Sequence, residues 1–282
     1  MASNYKVTTL YTLTSPLSHI GETASIGTIF QTLQTPSGRI PVVTGNSIRG
    51  QLRDLGAEYL LDACGLKVDK PVFNALFSGG NLSGASKHDL ARARAIREKL
   101  PFASLFGCGI GSMLLAGKMQ VGFAYPVCKE TEFITGIVSD KSWREMIDEM
   151  EMTRMDDSKD SVLAAQYIEG WNPDDAPKKK AGEASTQMRF SVQYLAPGTQ
   201  LWQEITFSPA VTDAEMGAFL TAWDAFSDRG IMGGMSAKGF GRFTAERTIA
   251  WDLTEAVGKD CIAVYDAIAK ATTAKDLALL VG

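Results

Sequence analysis

The chain reads as an α+β, ferredoxin-like fold, in which an antiparallel sheet carries helices on one face and an insertion projects from it. Three observations predict this. Strand-like and helix-like segments run strand, loop, helix, strand and then, after an insertion, hairpin, helix, strand, so that each half supplies one β-α-β unit. Residues 139–182 break that rhythm with a polar, turn-rich stretch. Glycine is concentrated at one place: five of the twelve residues 230–241 are Gly, against 27 in all 282.

Taken in order, residues 5–13 alternate apolar and polar with β-branched and aromatic side chains, the pattern of a strand. Residues 22–39 are rich in Thr, Ser, Gln and Gly, a long loop with weak strand character at 26–33. Thr44 to Ser47 offer N-caps to a helix in which Ile48, Leu52, Leu55 and Tyr59 recur at helical spacing. Arg49 and Arg53, four apart, share one face of it. Residues 60–100 read as helical, interrupted by glycine and serine at 78–84, and carry Lys87, Arg92, Arg94, Arg97 and Lys99. A second glycine-rich segment, 100–112, contains Gly107 and precedes a strand that ends at Pro126.

Further on, 143–150 is expected to be helical within the insertion. Residues 186–195 and 201–207 both alternate and flank Ala196-Pro197-Gly198-Thr199, so they are expected to pair as a hairpin. Thr212 and Glu215 are spaced as a capping box for a helix through Trp223 and Phe226. The glycine loop, a strand near 242–247 and helix-like stretches at 262–271 and 275–280 complete the chain. The expected organisation is one domain over 1–282 with a helical, glycine-rich insertion at 60–112, a projecting insertion at 139–190 and a helical tail at 251–282.

Composition narrows the function. Hydrophobic content of 45% fits a packed core, and net charge is −4, which argues against a surface that coats nucleic acid everywhere but leaves room for one basic groove. Four scattered cysteines without a C-x-x-C pair, and two histidines, argue against a zinc site. No secretory signal and no apolar run of membrane-spanning length stand out, so a cytoplasmic protein with reduced thiols is expected. The glycine loop with Lys238 and Arg242 suits either a helix-to-strand connection or a cradle of backbone N–H groups for phosphate. It lacks G-x-x-x-x-G-K-[ST] and follows a helix, which counts against a nucleotide-binding enzyme.

Five segments carry a more specific likeness. These are 15–21 (Ser-Pro-Leu-Ser-His-Ile-Gly), 41–53 (Pro-Val-Val-Thr-Gly-Asn-Ser-Ile-Arg-Gly-Gln-Leu-Arg), Leu105-Phe106-Gly107, 195–199 and 233–242 (Gly-Gly-Met-Ser-Ala-Lys-Gly-Phe-Gly-Arg). In this order they resemble the RAMP superfamily of CRISPR proteins, and within it the repeated backbone subunit of class 1 effector complexes, the "Cas seven" group, most of all its type IV form.

The resemblance implies a modified RRM palm over 1–282 with a thumb-like insertion at 139–190, in a subunit that stacks head to tail along one CRISPR RNA, with a target DNA or RNA strand and other effector subunits as partners and no cofactor. RNA contacts are then expected from Ser18, His19, Asn46, Ser47, Gly107, Arg189, Gly233, Gly234, Met235, Ser236 and Lys238, from Arg49 and Arg53 as a phosphate-facing helix start, and from Lys178 and Lys179 on charge alone. A subunit that accepts any guide must grip backbone and shape, since it cannot read base edges. The competing reading is a ribonuclease of the same superfamily that processes CRISPR RNA or cuts target RNA. His19 would then serve as general acid or base, or Glu22 would act with a metal, the region after the first strand having no Asp.

Overall fold

The structure is a computed structural model that describes residues 5–24, 27–80, 89–111, 113–154, 188–250 and 255–281. Its elements in chain order are β1 (Tyr5–Leu13), β2 (Ile20–Ala24), β3 (Gly27–Phe30), β4 (Thr32–Thr35), β5 (Gly38–Pro41), α1 (Gly45–Cys64), α2 (Lys70–Ser78), α3 (Leu90–Lys99), α4 (Pro101–Phe106), β6 (Cys108–Ile110) and β7 (Met113–Leu115). There follow β8 (Met119–Pro126), α5 (Glu132–Thr135), β9 (Ile147–Arg154), β10 (Met188–Leu195), β11 (Gln200–Phe207), α6 (Asp213–Arg229), β12 (Phe243–Ala250), α7 (Glu255–Ala271) and α8 (Ala274–Leu277).

The palm is the sheet β12-β1-β11-β8, antiparallel throughout. Counting only these strands along the chain, their spatial order is fourth, first, third, second, the ferredoxin-like order. Alternation decides which face is covered. Val7, Thr9, Tyr11 and Leu13 of β1 are buried while Lys6, Thr8, Leu10 and Thr12 are half-buried. The buried face packs on helices: Tyr11 meets Phe226 of α6 edge-on, and Phe207 of β11 meets Phe219. Removing rings of this size from water dominates the stability of such a core.

Both palm helices are pinned at their starts. Thr44, in extended backbone, accepts the Ser47 N–H at 3.4 Å and caps α1. Only glycine fits at position 45, because a Cβ there would lie 2.1 Å from the Val121 carbonyl of β8. The predicted capping box forms on α6, with Thr212 and Glu215 exchanging hydrogen bonds. Glu215 is buried and also accepts from Ser104 at 2.5 Å and from Lys118 at 2.8 Å, tying α6 to α4 and to the start of β8.

Several expectations are corrected. The strands 188–195 and 200–207 do not pair with each other. Instead β10 belongs to a second sheet, β2-β3-β10-β9, while β11 belongs to the palm. The turn at 196–199 is a corner between sheets: Leu13 and Thr199 bond through N–H to carbonyl at 3.0 Å, and Ala196 donates to the Met146 carbonyl. Residues 147–154 form strand β9, with a short 3-10 turn at Trp143–Glu145 as the only helical piece of 143–150. The loop expected at 22–39 holds four described strands or parts of strands, β3 and the start of β4 falling where weak strand character was read. The stretch 60–100 is broken at Gly65, a left-handed C-cap at φ 65°, and again at Gly79, the C-cap of α2, and residues 81–88, with Lys87, lie outside the described residues. The tail helix starts at Glu255, before the 262 expected. Strands β9 and β10 form the root of the expected thumb. Its span 155–187 lies outside the described residues.

Candidate nucleic-acid interface

The glycine loop is folded back on the end of β1. Gly230 ends α6 in the left-handed region, φ 59°, and Phe243 donates to its carbonyl at 2.9 Å. Met232 donates to the Gly241 carbonyl at 2.9 Å and closes the loop's mouth. Gly241 has φ 83°, and a Cβ there would sit 1.9 Å from the Met232 carbonyl, so no other residue fits. Gly241 then donates to the Pro16 carbonyl at 2.7 Å and Gly234 donates to the Ser18 carbonyl at 2.8 Å. Gly233, φ 75°, leaves no room either: its Cβ would meet Ser18 O at 2.5 Å. Ser18 is itself buried. The 15–21 and 233–242 segments, far apart in sequence, are thus in contact through backbone.

Within the loop Met235 has φ 61°, the one positive φ among described residues other than glycine. It opens a 3-10 turn, Ser236–Lys238, in which Lys238 donates to the Met235 carbonyl. The N–H groups of Met235, Ser236 and Ala237 have no acceptor among the described residues. Ser236, Ala237 and Lys238 are exposed. Consecutive unpaired amides beside a lysine are suited to an anion such as a phosphodiester.

The Lys238 ammonium sits 4.4 Å from the ring centre of Phe190 on β10, and Phe240 meets Tyr194 edge-on at 6.4 Å. The loop is therefore also docked on the second sheet. A hollow of about 580 Å³ between them is lined by Met152, Thr153, Phe190 and Lys238. Phe190 was not among the residues expected from sequence. The signal was present: it follows Arg189 in an alternating strand, so the two point to opposite faces. Arg189 is exposed and is not brought to the face that carries Lys238.

His19 links this region to α1. Its Nε2 accepts the Thr44 N–H at 3.1 Å and lies 3.1 Å from the Thr44 hydroxyl. The amide can only donate, so Nε2 holds a lone pair and the ring proton is on Nδ1. Burial lowers the pKa of His19 from its ordinary value. Asn46, the second residue of α1, is exposed, while Ser47 is half-buried with its N–H on Thr44.

Three expected RNA contacts have other work. Arg53 is only 6% exposed. Its guanidinium donates to the carbonyls of Leu76, Phe106 and Gly107 at 3.2, 2.9 and 2.8 Å, and lies 5.3 Å from the Phe106 ring centre. Arg49 donates to the Phe106 carbonyl as well. Gly107, buried at φ 73°, is the C-cap of α4. The two arginines do share a helix face, as their spacing required, but that face looks at the C-terminal carbonyls of α4, where a cation satisfies both orphan acceptors and the helix dipole. Burial, then repulsion from Arg49, lowers the Arg53 pKa to about 10, which leaves it charged at neutral pH. Lys178 and Lys179 lie outside the described residues, as do His88 and the side chain of Glu22.

Among the described residues no cluster of three or more His, Cys, Asp or Glu side chains could hold a metal ion, and no helix is long and apolar enough to cross a membrane. The four cysteines are free thiols.

A search of curated proteins found no match. Among solved structures the chain is similar to a subunit described as a "Type IV-B CRISPR Complex", with TM-score 0.63 and 18% identity over 88% of this chain and 92% of that one. At that identity the likeness speaks to the fold alone. The profile of the RAMP superfamily matches residues 10–244, from the middle of β1 into β12 and through every segment of the interface just described, so the chain belongs to the RAMP superfamily.

Proposed function

We propose that the chain is a non-catalytic backbone subunit of a type IV CRISPR effector complex. It holds the guide RNA by its phosphates, stacks head to tail with its own copies, and presents the guide for pairing with a target strand. The observation that carries this reading is the run of amides at 235–237, without an acceptor among the described residues, beside Lys238 in a loop whose close glycine contacts at 233 and 241 leave no room for a side chain. RAMP membership and a shared fold with a type IV-B complex subunit support it. The state of His19 favours holding over cutting, because its Nε2 lone pair is engaged by Thr44.

The test is fluorescence anisotropy of the purified full chain with labelled single-stranded RNAs of unrelated sequence, between about 50 and 200 mM salt. Similar affinities across sequences and a steep loss with salt are expected. Lys238→Glu is expected to weaken binding at least tenfold and to flatten the salt dependence by about 0.7 per lost phosphate contact, without change in thermal unfolding. Equal affinity of wild type and Lys238→Glu would overturn the assignment of the loop, and cleavage of the RNA would overturn the non-catalytic reading.

A further inference from the structure

Cations that lie over aromatic rings among the described residues fall into two kinds. Arg53 over Phe106 also donates to three carbonyls, Arg144 over Trp143 is paired with Glu130 at 3.6 Å, and Arg247 over Trp223 is paired with Asp224 at 2.6 Å. Lysines 6, 99, 118 and 270 are each paired with a carboxylate as well, at 2.7–2.9 Å. Lys238 differs from all of these. Its ammonium has no carboxylate or carbonyl acceptor among the described residues, and what holds it there is the face of the Phe190 ring, 4.4 Å away.

Strand alternation produces this setting. Phe190 lies opposite Met152, Val192 opposite Met150 and Tyr194 opposite Asp148, so these residues share one face of the second sheet. Glu149 and Glu151 fall between them on β9 and belong to the other face. Asp148, on the same face as Phe190, is two rows away and accepts the Tyr194 hydroxyl at 3.2 Å. Val192 is buried and Tyr194 carries Phe240 of the loop, whereas Phe190 is half-buried, at the open end of the face. The hollow beside its ring is lined by Met152, Thr153, Phe190 and Lys238, with no carboxylate. The difference matters for an anion site. A carboxylate here would fix the lysine but also neutralise it and compete with any incoming anion. A ring face attracts the ammonium through its quadrupole and leaves the charge available.

We infer that Phe190 is a positioning residue of the anion site: its ring holds the Lys238 ammonium in place without neutralising it, next to the amides of Met235, Ser236 and Ala237, ready for a phosphodiester. This rests on the guide-holding role proposed above. An exposed lysine ordinarily samples many rotamers, and ordering it at the moment of binding costs free energy. With Phe190 in place that ordering precedes the ligand. Strand β10, at the root of the insertion, thereby takes part in the grip through Lys238 and without touching RNA at this position.

The experiment has two arms on the full chain: affinity for a labelled single-stranded RNA by fluorescence anisotropy and, without RNA, the NMR signals of isotope-labelled lysine ε-methylenes. Phe190→Leu keeps an apolar side chain opposite Met152 and is expected to weaken binding about two- to tenfold, the range that follows from leaving one long side chain unordered. Phe190→Trp, which restores a ring, is expected to bind like wild type. In a Lys238→Met background, Phe190→Leu is expected to change nothing further, because the ring acts through the lysine. Free wild type is expected to show a Lys238 ε-methylene signal displaced upfield by the ring, and Phe190→Leu to lose the displacement. Wild-type affinity in Phe190→Leu overturns the inference. So does a further loss in the Lys238→Met background, which would mean that the ring itself touches RNA. RNA binding by a wild type without the displaced signal overturns the inference and leaves the guide-holding role standing. A displaced signal in a wild type that binds no RNA overturns the proposed function, and the role of Phe190 with it, while the contact itself remains.

Discussion

Replacing Arg53 by Ala separates a structural arginine from a phosphate-binding one. The side chain spans three carbonyls, of Leu76, Phe106 and Gly107, at the junction of α1, α2 and α4. A hydrogen bond from a charged donor nets about 1.5–3 kcal/mol, and a buried acceptor left without a donor costs a similar amount. One guanidinium serves all three, so the contributions do not add. Its own desolvation, seen in its lowered pKa, offsets part of the gain. A net loss of about 3 kcal/mol follows, a large share of the 5–15 kcal/mol typical of a domain. In urea unfolding followed by far-ultraviolet circular dichroism, this lowers the midpoint by about 1 M if the slope is about 3 kcal/mol/M. Arg53→Lys keeps the charge without the planar fork and is expected to recover less than half of the loss. Folded Arg53→Ala is expected to bind RNA like wild type. A variant with a wild-type midpoint and lost RNA affinity would refute the reasoning and return Arg53 to the groove.

Two further outcomes test the joint around the glycine loop. Gly241→Ala places a Cβ on the Met232 carbonyl at positive φ, whereas Gly239→Ala, φ 85°, meets nothing within 4 Å and carries only the backbone cost of about 1 kcal/mol. Thermal unfolding is expected to drop by several degrees more for Gly241→Ala, and equal shifts would show that the mouth of the loop relaxes freely. The second outcome concerns pH. The folded His19 pKa lies below the ordinary 6.5 because burial disfavours the cation, so below pH 6.5 the unfolded chain takes the proton first. Stability contributed by neutral His19 is full above pH 6.5 and is lost as pH falls towards the folded value. His19→Gln is expected to flatten that decline in urea midpoints measured from pH 7.5 to 5.

Much of the palm was legible because its signals are local. The alternation of β1, the Thr44 cap and the Thr212–Glu215 box each depend on a few neighbouring residues and fall where expected. What was not legible depends on partners distant in sequence. Strands β10 and β11 alternate equally well, and nothing in either says that Ala196-Pro197-Gly198-Thr199 turns a corner between sheets rather than joining a hairpin. That is decided by Leu13, Leu17 and Met146, whose backbone groups claim Thr199, Leu195 and Ala196. Likewise the four-residue spacing of Arg49 and Arg53 fixes that they face together but not what they face. The answer lies 53 residues further along from Arg53, at Phe106. In the candidate interface the glycines and Lys238 were found because glycine at positive φ is a backbone demand that composition reveals. Phe190 was missed because an aromatic residue in an alternating strand is ordinarily core.

The glycine loop is more than a connection between α6 and β12. It is bonded to the end of β1 through Pro16 and Ser18, and it is packed on the second sheet through Lys238–Phe190 and Phe240–Tyr194. Its shape is therefore set by two sheets before any ligand arrives. Fixing a loop in advance removes its ordering entropy from the cost of binding, which matters most for a site that gains energy from backbone amides and one or two cations. In the proposed function this lets an acidic chain hold RNA: with net charge −4 it would have little non-specific attraction for a polyanion, so affinity would come from a few pre-set donors in one place. Copies stacked as proposed would convert successive modest grips into intramolecular events, and the acidic body would keep free copies from collecting on unrelated RNA.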